Sequence, residues 1–539
     1  SGFLSEKATL SHLRAMRDSD GDLPYSTAVW LEMVEMGWAG IAIDEVHGGL
    51  GYGFKGLGIL LEETGRHLSA SPLHSAISIS ATLIDKLGSE AQKAEMLNKV
   101  SGGSFLATLG LQESEVHKPA SICTKAEKTP GGFCLTGSKV MVMDVHACDQ
   151  FIVIARTSGN SEDCAGLTAF MVSDETEGIS TERTPMVDSR NYGRIKLLNV
   201  EVQDSAVLGE VGAAWDGLSA TLDIANIGLA AELLGLSEEA FQRTVKYLQE
   251  RKQFGSFIGS FQGLQHRAAE IFAELELCRS LVLKALHAID EGSDQLPLLA
   301  SATKAKLSEV AQRTTNEAIQ MHGGIGMTDD YEIGFFIKRA RVLQHIFGDY
   351  NYHLDRYALL SGFYEQFGRQ GALKFICDFA VPLLERIGKG WEMGELSITN
   401  EHFASECMVS FLTEKWRQMN IRKNGPLVLI TTLPGEPYNL GILMCAVVTS
   451  ATNSKVIYLG NDNPVEEIID GTKKYKPEVI AMSISHKFDY VSAEIMLKKL
   501  RKKINSNTSI VTGGKGSPWK IPGISYIPDF ENYYDFLLN

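Results

Sequence analysis

The 539 residues, 44% of them apolar and 22% charged, suit a protein of two to four globular domains. Lysine plus arginine number 51 against 66 acidic residues, and the net charge of −15 argues against general nucleic-acid binding, which needs a basic surface. Eight cysteines, none in C-x-x-C spacing, argue against zinc or redox pairs and read as reduced, mostly buried thiols. The charge is unevenly divided: residues 362–539 carry 20 basic and 19 acidic residues, so residues 1–361 hold −16 and a break falls near 361. The opening SGFLSEKATL lacks the basic and then apolar order of a secretory signal. No uncharged apolar run reaches the about 18 residues of a membrane span, so a cytoplasmic protein without a membrane partner is expected.

In chain order, residues 1–102 read as a helical domain, with VWLEMVEMGWAGIAI and LGILLEETGRHL showing apolar residues three and four apart. Between 103 and 212 the period changes to two. FLATLGLQ, GFCLTGSKVMVM, DQFIVIAR, LTAFMVS and IKLLNVEV are short strands of a β-domain. Long Ala- and Leu-rich helices follow at 216–250, 260–289, 297–321 and 332–360, a bundle over 213–360. A second helical stretch fills 361–422. Residues 423–539 then alternate strands (LVLITT, KVIYLG, EVIAMSIS, SIVTGG) with helices, the pattern of a doubly wound parallel α/β domain whose ligand sits at the carboxyl ends of the strands. The expected class is a multidomain α+β part followed by an α/β part.

Four segments within 1–360 carry a resemblance: MGWAGIAIDEVHGGLGYG (36–53), ERKQFGSFIGSFQGLQHRAAE (250–270), AIQMHGGIGMTDDYEIGFFIKRA (318–340) and FGDYNYH (347–353). Together, and in this order, they resemble the acyl-CoA dehydrogenase family. The resemblance implies a helical domain, a β-domain and a four-helix bundle, assembly as a homodimer or homotetramer, bound FAD and an acyl-CoA substrate. It also implies that Arg251 and Phe254 reach the FAD of a neighbouring subunit, and that Gln320, Gly323, Gly324 and Gly326 approach the same cofactor from that side. A cation and exposed backbone N–H groups are what an anionic pyrophosphate needs.

The chemical positions depart from the family pattern. The carboxylate that removes the substrate's α-proton usually stands where this chain has Phe347, and the alternative position falls near Ala225. Asp349 and Glu232, seven residues beyond Ala225 on the same helix face, are the substitute bases. On the flavin-facing strand, Met141 and Met143 stand where the family places an aromatic ring and a hydroxyl, and Glu113-Ser-Glu-Val-His117 replaces a Gly-Ser-Asp stretch.

The segment AVPLLERIGKGWEMGELSITNEH (380–402) resembles the helical cap of B12-binding modules, which lays Trp391 over the corrin and sets Glu401 and His402 beside it. Ser483, Ser485, Gly513 and Gly514 match the places where the following α/β fold receives the nucleotide tail of cobalamin. The loop Glu436-Pro-Tyr438-Asn-Leu-Gly441 matches the cobalt-ligand loop, with Tyr438 at the position of the ligating histidine, so no protein metal ligand is expected. The pocket then holds cobalamin without a lower protein ligand, or another tetrapyrrole such as a bilin. The reading that follows is an FAD-dependent dehydrogenase of acyl-CoA thioesters controlled, by light among the options, through a fused cobalamin or tetrapyrrole module. The alternative is a catalytically degenerate sensor.

Overall fold

The period-two segments become strands of an eight-stranded sheet in a computed structural model that describes residues 2–18, 25–421, 423–436 and 438–539, without the side chains of Met16 and Ile398. The chain falls into two units, Ser1–Tyr357 and Ala358–Asn539. The first unit opens with α1 (Gly2–Lys7), α2 (Leu10–Arg17), α3 (Thr27–Glu35), α4 (Gly53–Arg66), a π-helical stretch His74–Ala81, α5 (Thr82–Leu87) and α6 (Glu90–Ser101). The sheet comprises β1 (Ala107–Gly110), β2 (Lys125–Thr129), β3 (Gly132–Met143), β4 (Gln150–Arg156), β5 (Leu167–Ser173), β6 (Ile179–Thr184), β7 (Tyr192–Gln203) and β8 (Val207–Leu208). Its order is β6-β7-β3-β2-β4-β5-β8, with β1 beside β4. Phe133, Leu135, Phe151, Val153, Phe170 and Ile195 alternate inward and build its core.

Behind the sheet stand α7 (Trp215–Glu250), a short hairpin of β9 (Lys252–Gln253) and β10 (Ser256–Phe257), α8 (Gln262–Asp290), α9 (Leu296–His322) and α10 (Ile333–His345), and α11 (Tyr350–Gln370) begins here. Helix α7 is long and apolar enough to cross a membrane by length and composition, yet 89% of its apolar window is buried among its neighbours. It is apolar all round because it is the core helix of the bundle. Glycines let it cross α4 closely. A Cβ on Gly235 would stand 1.8 Å from the carbonyl oxygen of Glu62, and one on Gly65 would stand 2.1 Å from that of Glu232.

The single helix expected over 332–360 is two helices. The backbone turns at Phe347 (φ 53°) and Gly348 (φ 106°). The carbonyls left open at the end of α10 are satisfied by Lys304 of α9, fully buried, whose Nζ donates to Ile346 O at 2.6 Å and Gly348 O at 3.0 Å.

In the second unit, α12 (Ala372–Lys374), a π-helical stretch Phe375–Ala380, α13 (Val381–Glu392) and α14 (Ile398–Asn420) precede a parallel sheet. Its strands are β11 (Leu427–Thr431), β12 (Lys455–Gly460), β13 (Val479–Ser483), β14 (Ser509–Gly513) and β15 (Ser525–Tyr526), in the order β12-β11-β13-β14-β15. Helices α15 (Leu440–Ala451), α16 (Val465–Tyr475) and α17 (Tyr490–Lys503) connect them, and α18 (Phe530–Leu538) ends the chain given. The strands are apolar on both faces, as a parallel sheet covered by helices requires.

Candidate functional site

Glu232 does not serve as a free base. Its Oε1 and Oε2 accept from Arg339 Nε at 2.8 Å and Nη2 at 3.0 Å, while Arg339 Nη1 donates to Asp188 Oδ2 at 2.8 Å. Burial alone would raise the Glu232 carboxyl, but the Arg339 charge outweighs it and holds the group below its ordinary value. A carboxylate so stabilised is a poor proton acceptor. Asp349 is also engaged: its Oδ1 accepts the Tyr352 N–H at 2.9 Å and caps the first turn of α11.

Beside Glu232 lies a cavity of about 40 Å³ lined by His74, Met143, Asp144, Arg190, Asn191 and Arg339 among others, room for a few waters. Asp144 follows directly on the flavin-facing segment. Burial pushes its carboxyl up to about 6, and Ser75 Oγ donates to it at 2.5 Å. Both ring nitrogens of His74, Arg190 Nε and Nη1, and Asn191 Nδ2 are buried without a protein partner. Of this cluster the sequence marked Glu232 and Met143 but not His74, Arg190, Asn191 or Arg339. Its one signal was Arg339, a charge inside the apolar stripe of α10.

Burial drives His74 down to about 4, and His353, 1% exposed, is likewise held well below its ordinary value. The unfolded imidazoles take up a proton near pH 6.5 and the folded ones do so only in stronger acid, so acid favours the unfolded chain over that interval. His74→Phe is expected to flatten this dependence. Relative to the variant, the native chain should lose about 2 kcal/mol on going from pH 7 to pH 5, read as urea midpoints at both values. Parallel pH profiles would remove His74 from the account.

The segment assigned to a neighbour's cofactor is on the surface. Arg251 ends α7, Phe254 (φ 52°) caps the β9–β10 hairpin at 92% exposed, and Gln320 is exposed in the last turn of α9. A Cβ added to Gly323 or Gly324 meets nothing within 4 Å, so both offer open backbone, whereas Gly326 is buried against Ile319 O.

His117, in the loop after β1, meets the turn between α10 and α11. The half-buried His117 ring packs edge-on against Tyr352 at 4.9 Å and Phe347 at 6.2 Å between centroids. Phe347 is 7% exposed, and its carbonyl accepts from Asn226 Nδ2 at 3.4 Å. Glu113 is tied down by Lys139, fully buried, at 2.6 Å and by the Cys123 and Thr124 N–H groups at 2.6 and 2.9 Å.

In the second unit, Glu436 is 1% exposed and joins two loops at the carboxyl ends of the strands: its Oε2 accepts the Ser485 N–H at 2.7 Å and its Oε1 the Tyr438 N–H at 3.3 Å. The Tyr438 hydroxyl accepts from Lys487 Nζ at 2.9 Å. Gly441 stands so near β13 that a Cβ there would fall 2.2 Å from Ser483 Oγ, and Ser485 Oγ is buried without a partner. Gly514 (φ 94°), next to Gly513, passes close to Ile484 O. Trp391 is 42% exposed near the end of α13, and Glu401 pairs with His402 at 3.0 Å in the first turns of α14. Lys515 reaches Glu385 of α13 at 2.9 Å and so ties the helices to the turn after β14.

Comparison with known proteins bears on both units. Residues 3–104 match the N-terminal domain and residues 215–358 the C-terminal domain of acyl-CoA dehydrogenases. Residues 353–413 and 426–521 match two B12 binding domains. The short-chain-specific acyl-CoA dehydrogenase of Megasphaera elsdenii is 32% identical over 327 residues, 58% of this chain and 84% of that protein. The chain belongs to the acyl-CoA dehydrogenase family.

The short/branched-chain-specific acyl-CoA dehydrogenase of Rattus norvegicus is 31% identical over 320 residues, covering 58% of this chain and 72% of that one. The structure of butyryl-CoA dehydrogenase from Megasphaera elsdenii superposes with a TM-score of 0.61 at 28% identity, covering 66% of this chain and 94% of the other. The chain is thus an acyl-CoA dehydrogenase-type flavoenzyme carrying a B12-binding module; the family implies FAD, and the B12-binding domains imply cobalamin. The cobalamin fit is good: Ser485 Oγ is an orphaned buried hydroxyl, and the missing Cβ of Gly441 lets its loop approach Ser483 closely at the strand end. Glu436, Ser483, Ser485 and the glycines would hold the tail, and the bound corrinoid would supply exchangeable ligands on cobalt. For FAD, the exposed Arg251 and Gln320 and the open backbone of Gly323 and Gly324 suit an anionic pyrophosphate and would hold it.

Proposed function

We propose that the chain takes part in the α,β-dehydrogenation of an acyl-CoA thioester, and that cobalamin held by residues 361–539 sets that activity. The observation that carries this reading is the pairing, in one polypeptide, of a dehydrogenase fold with a strand-end cradle whose loops are cross-braced by Glu436 and whose Ser485 hydroxyl awaits a partner. Control of one ligand by another is a coupling free energy, and it is reciprocal. The short-chain specificity of its relatives makes butyryl-CoA the first probe.

The test is calorimetric titration of the full chain with butyryl-CoA, without and with saturating hydroxocobalamin. A change in affinity of about fivefold or more is expected, with the same factor for cobalamin when butyryl-CoA is bound first. Equal affinities would remove the regulatory role. Repeating the titration in the dark and after illumination separates control by light from control by ligand. A second reading, a sensor without dehydrogenase chemistry, draws on Phe347 at the position of the base; it predicts cobalamin binding and no heat from butyryl-CoA.

A further inference from the structure

The cavity beside Glu232 collects buried polar atoms that lack a protein partner. Six belong to residues in its wall: Nε and Nη1 of Arg190, Nδ2 of Asn191, both ring nitrogens of His74 and Oγ of Ser69. All four residues are buried, Asn191 and Arg190 in the turn before β7, His74 in the π-helical stretch and Ser69 in the loop after α4. A neutral imidazole supplies one donor and one acceptor, so donors predominate in this set.

The charges in the wall are not balanced. Arg339 is matched by Glu232 and Asp188. The Arg190 guanidinium donates through Nη2 to Leu68 O at 2.6 Å, and among the described residues no carboxylate pairs with it. Burial and the Arg339 charge lower it to about 10, which still leaves it a cation at neutral pH. Buried charges are paired as a rule. Water can complete the hydrogen bonds of such a group but brings no counter-charge. Asp144, raised to about 6 by burial, takes up a proton when a second carboxylate arrives beside it and so does not bar one. The volume of about 40 Å³, at about 10–15 Å³ for one water, holds three or so water-sized groups, the size of a carboxylate.

We propose that this cavity receives a carboxylate, to which Arg190 and Asn191 donate with His74 beside them, and that the carboxylate is carried on the far end of the substrate's acyl group. Met143 at the end of β3 and Glu232 on α7 stand in the same wall, which sets the cavity next to the strand segment expected to face the flavin. The chain then prefers a dicarboxylic acyl-CoA to a monocarboxylic one of equal length. That preference rests on the acyl-CoA reading above. The carboxylate site itself does not, because a free small carboxylate has the same chemistry.

Calorimetric titration of the full chain compares thioesters matched in length, succinyl-CoA with butyryl-CoA and glutaryl-CoA with pentanoyl-CoA. In at least one pair the dicarboxylic member is expected to bind about tenfold or more tightly. Arg190→Met, which keeps most of the stem and removes the charge, should close that gap to within about twofold, and Arg190→Lys should restore part of it. Free succinate and glutarate form the second arm, read as the rise they cause in the urea midpoint of the native chain against Arg190→Met, with sodium chloride at equal ionic strength as control. A rise confined to the native chain, with no preference between thioesters, assigns the site to a free carboxylate. The same rise with no thioester bound at all would sink the acyl-CoA reading and leave the carboxylate site standing. If neither the thioester pairs nor the free acids distinguish the native chain from Arg190→Met, the cavity holds water alone and the proposal is overturned.

Discussion

Arg339→Met is expected to destabilise the first unit by about 3–5 kcal/mol, measured as a fall in the urea midpoint at unchanged slope. The side chain is 11% exposed, and its two carboxylate partners, Glu232 and Asp188, are 5% and 2% exposed. Removing the cation leaves both carboxylates without their counter-charge in a site with room for only a few waters, beside Asp144, which burial already holds up at about 6. The effect has a pH signature. Glu232 sits below its ordinary value of 4.5 in the native chain, so its contribution to stability is present above that pH and lost as acid protonates it. Without Arg339 the folded carboxylates bind protons more readily than the unfolded ones. The gap between native chain and variant should therefore narrow as the pH falls towards 4.5 and below. Replacing all three charges by apolar residues of similar size should recover most of the loss, since the ion pairs contribute little beyond their own desolvation. A single variant within about 1 kcal/mol of the native chain at pH 7 would show that water reaches the cluster.

What the sequence shows and what it hides follow from the range of the forces. Runs such as GFCLTGSKVMVM and LTAFMVS declare themselves because alternation is local, and they form β3 and β5 over the same residues. Lys125–Thr129 and Ile179–Thr184 do not, because KAEKT and ISTERT are polar strands held by their neighbours' ladders rather than by a buried face. The break at Phe347 carries no proline. It is set by Lys304, more than forty residues earlier, whose ammonium takes the carbonyls that a continuous helix would have used internally. Glu232 illustrates the same limit at the site. Its helix face was legible, but Arg339, 107 residues away, decides that its carboxylate holds a cation rather than a substrate proton. The parallel strands of the second unit were the easier case, since full burial writes apolar runs directly into the sequence.

Glu436→Ala is expected to weaken hydroxocobalamin binding by about tenfold to a hundredfold, the equivalent of about 1.4–2.8 kcal/mol. The carboxylate lies at the carboxyl end of β11 and accepts from the backbone of its own loop at Tyr438 and from that of the loop after β13 at Ser485. With alanine there, both N–H groups lose their acceptor, a cost of about 1–3 kcal/mol for the Ser485 N–H and less for that of the exposed Tyr438. The two loops relieve that penalty by moving apart to reach solvent. The sheet beneath does not depend on this bond, because Leu429, Ile480, Met482 and Ile510 pack together, so the module should stay folded while its cradle loosens. Ser485 Oγ and the Ser483–Gly441 contact then lose the spacing that suits a ligand, and binding has to restore it. Glu436→Gln keeps one acceptor and turns an amide donor towards the second N–H, so it should fall between alanine and the native chain. Absorption titration of the corrinoid bands reads all three. If the alanine variant binds within about twofold of the native chain, the loops are held by something other than Glu436 and the cradle is more rigid than its hydrogen bonds imply.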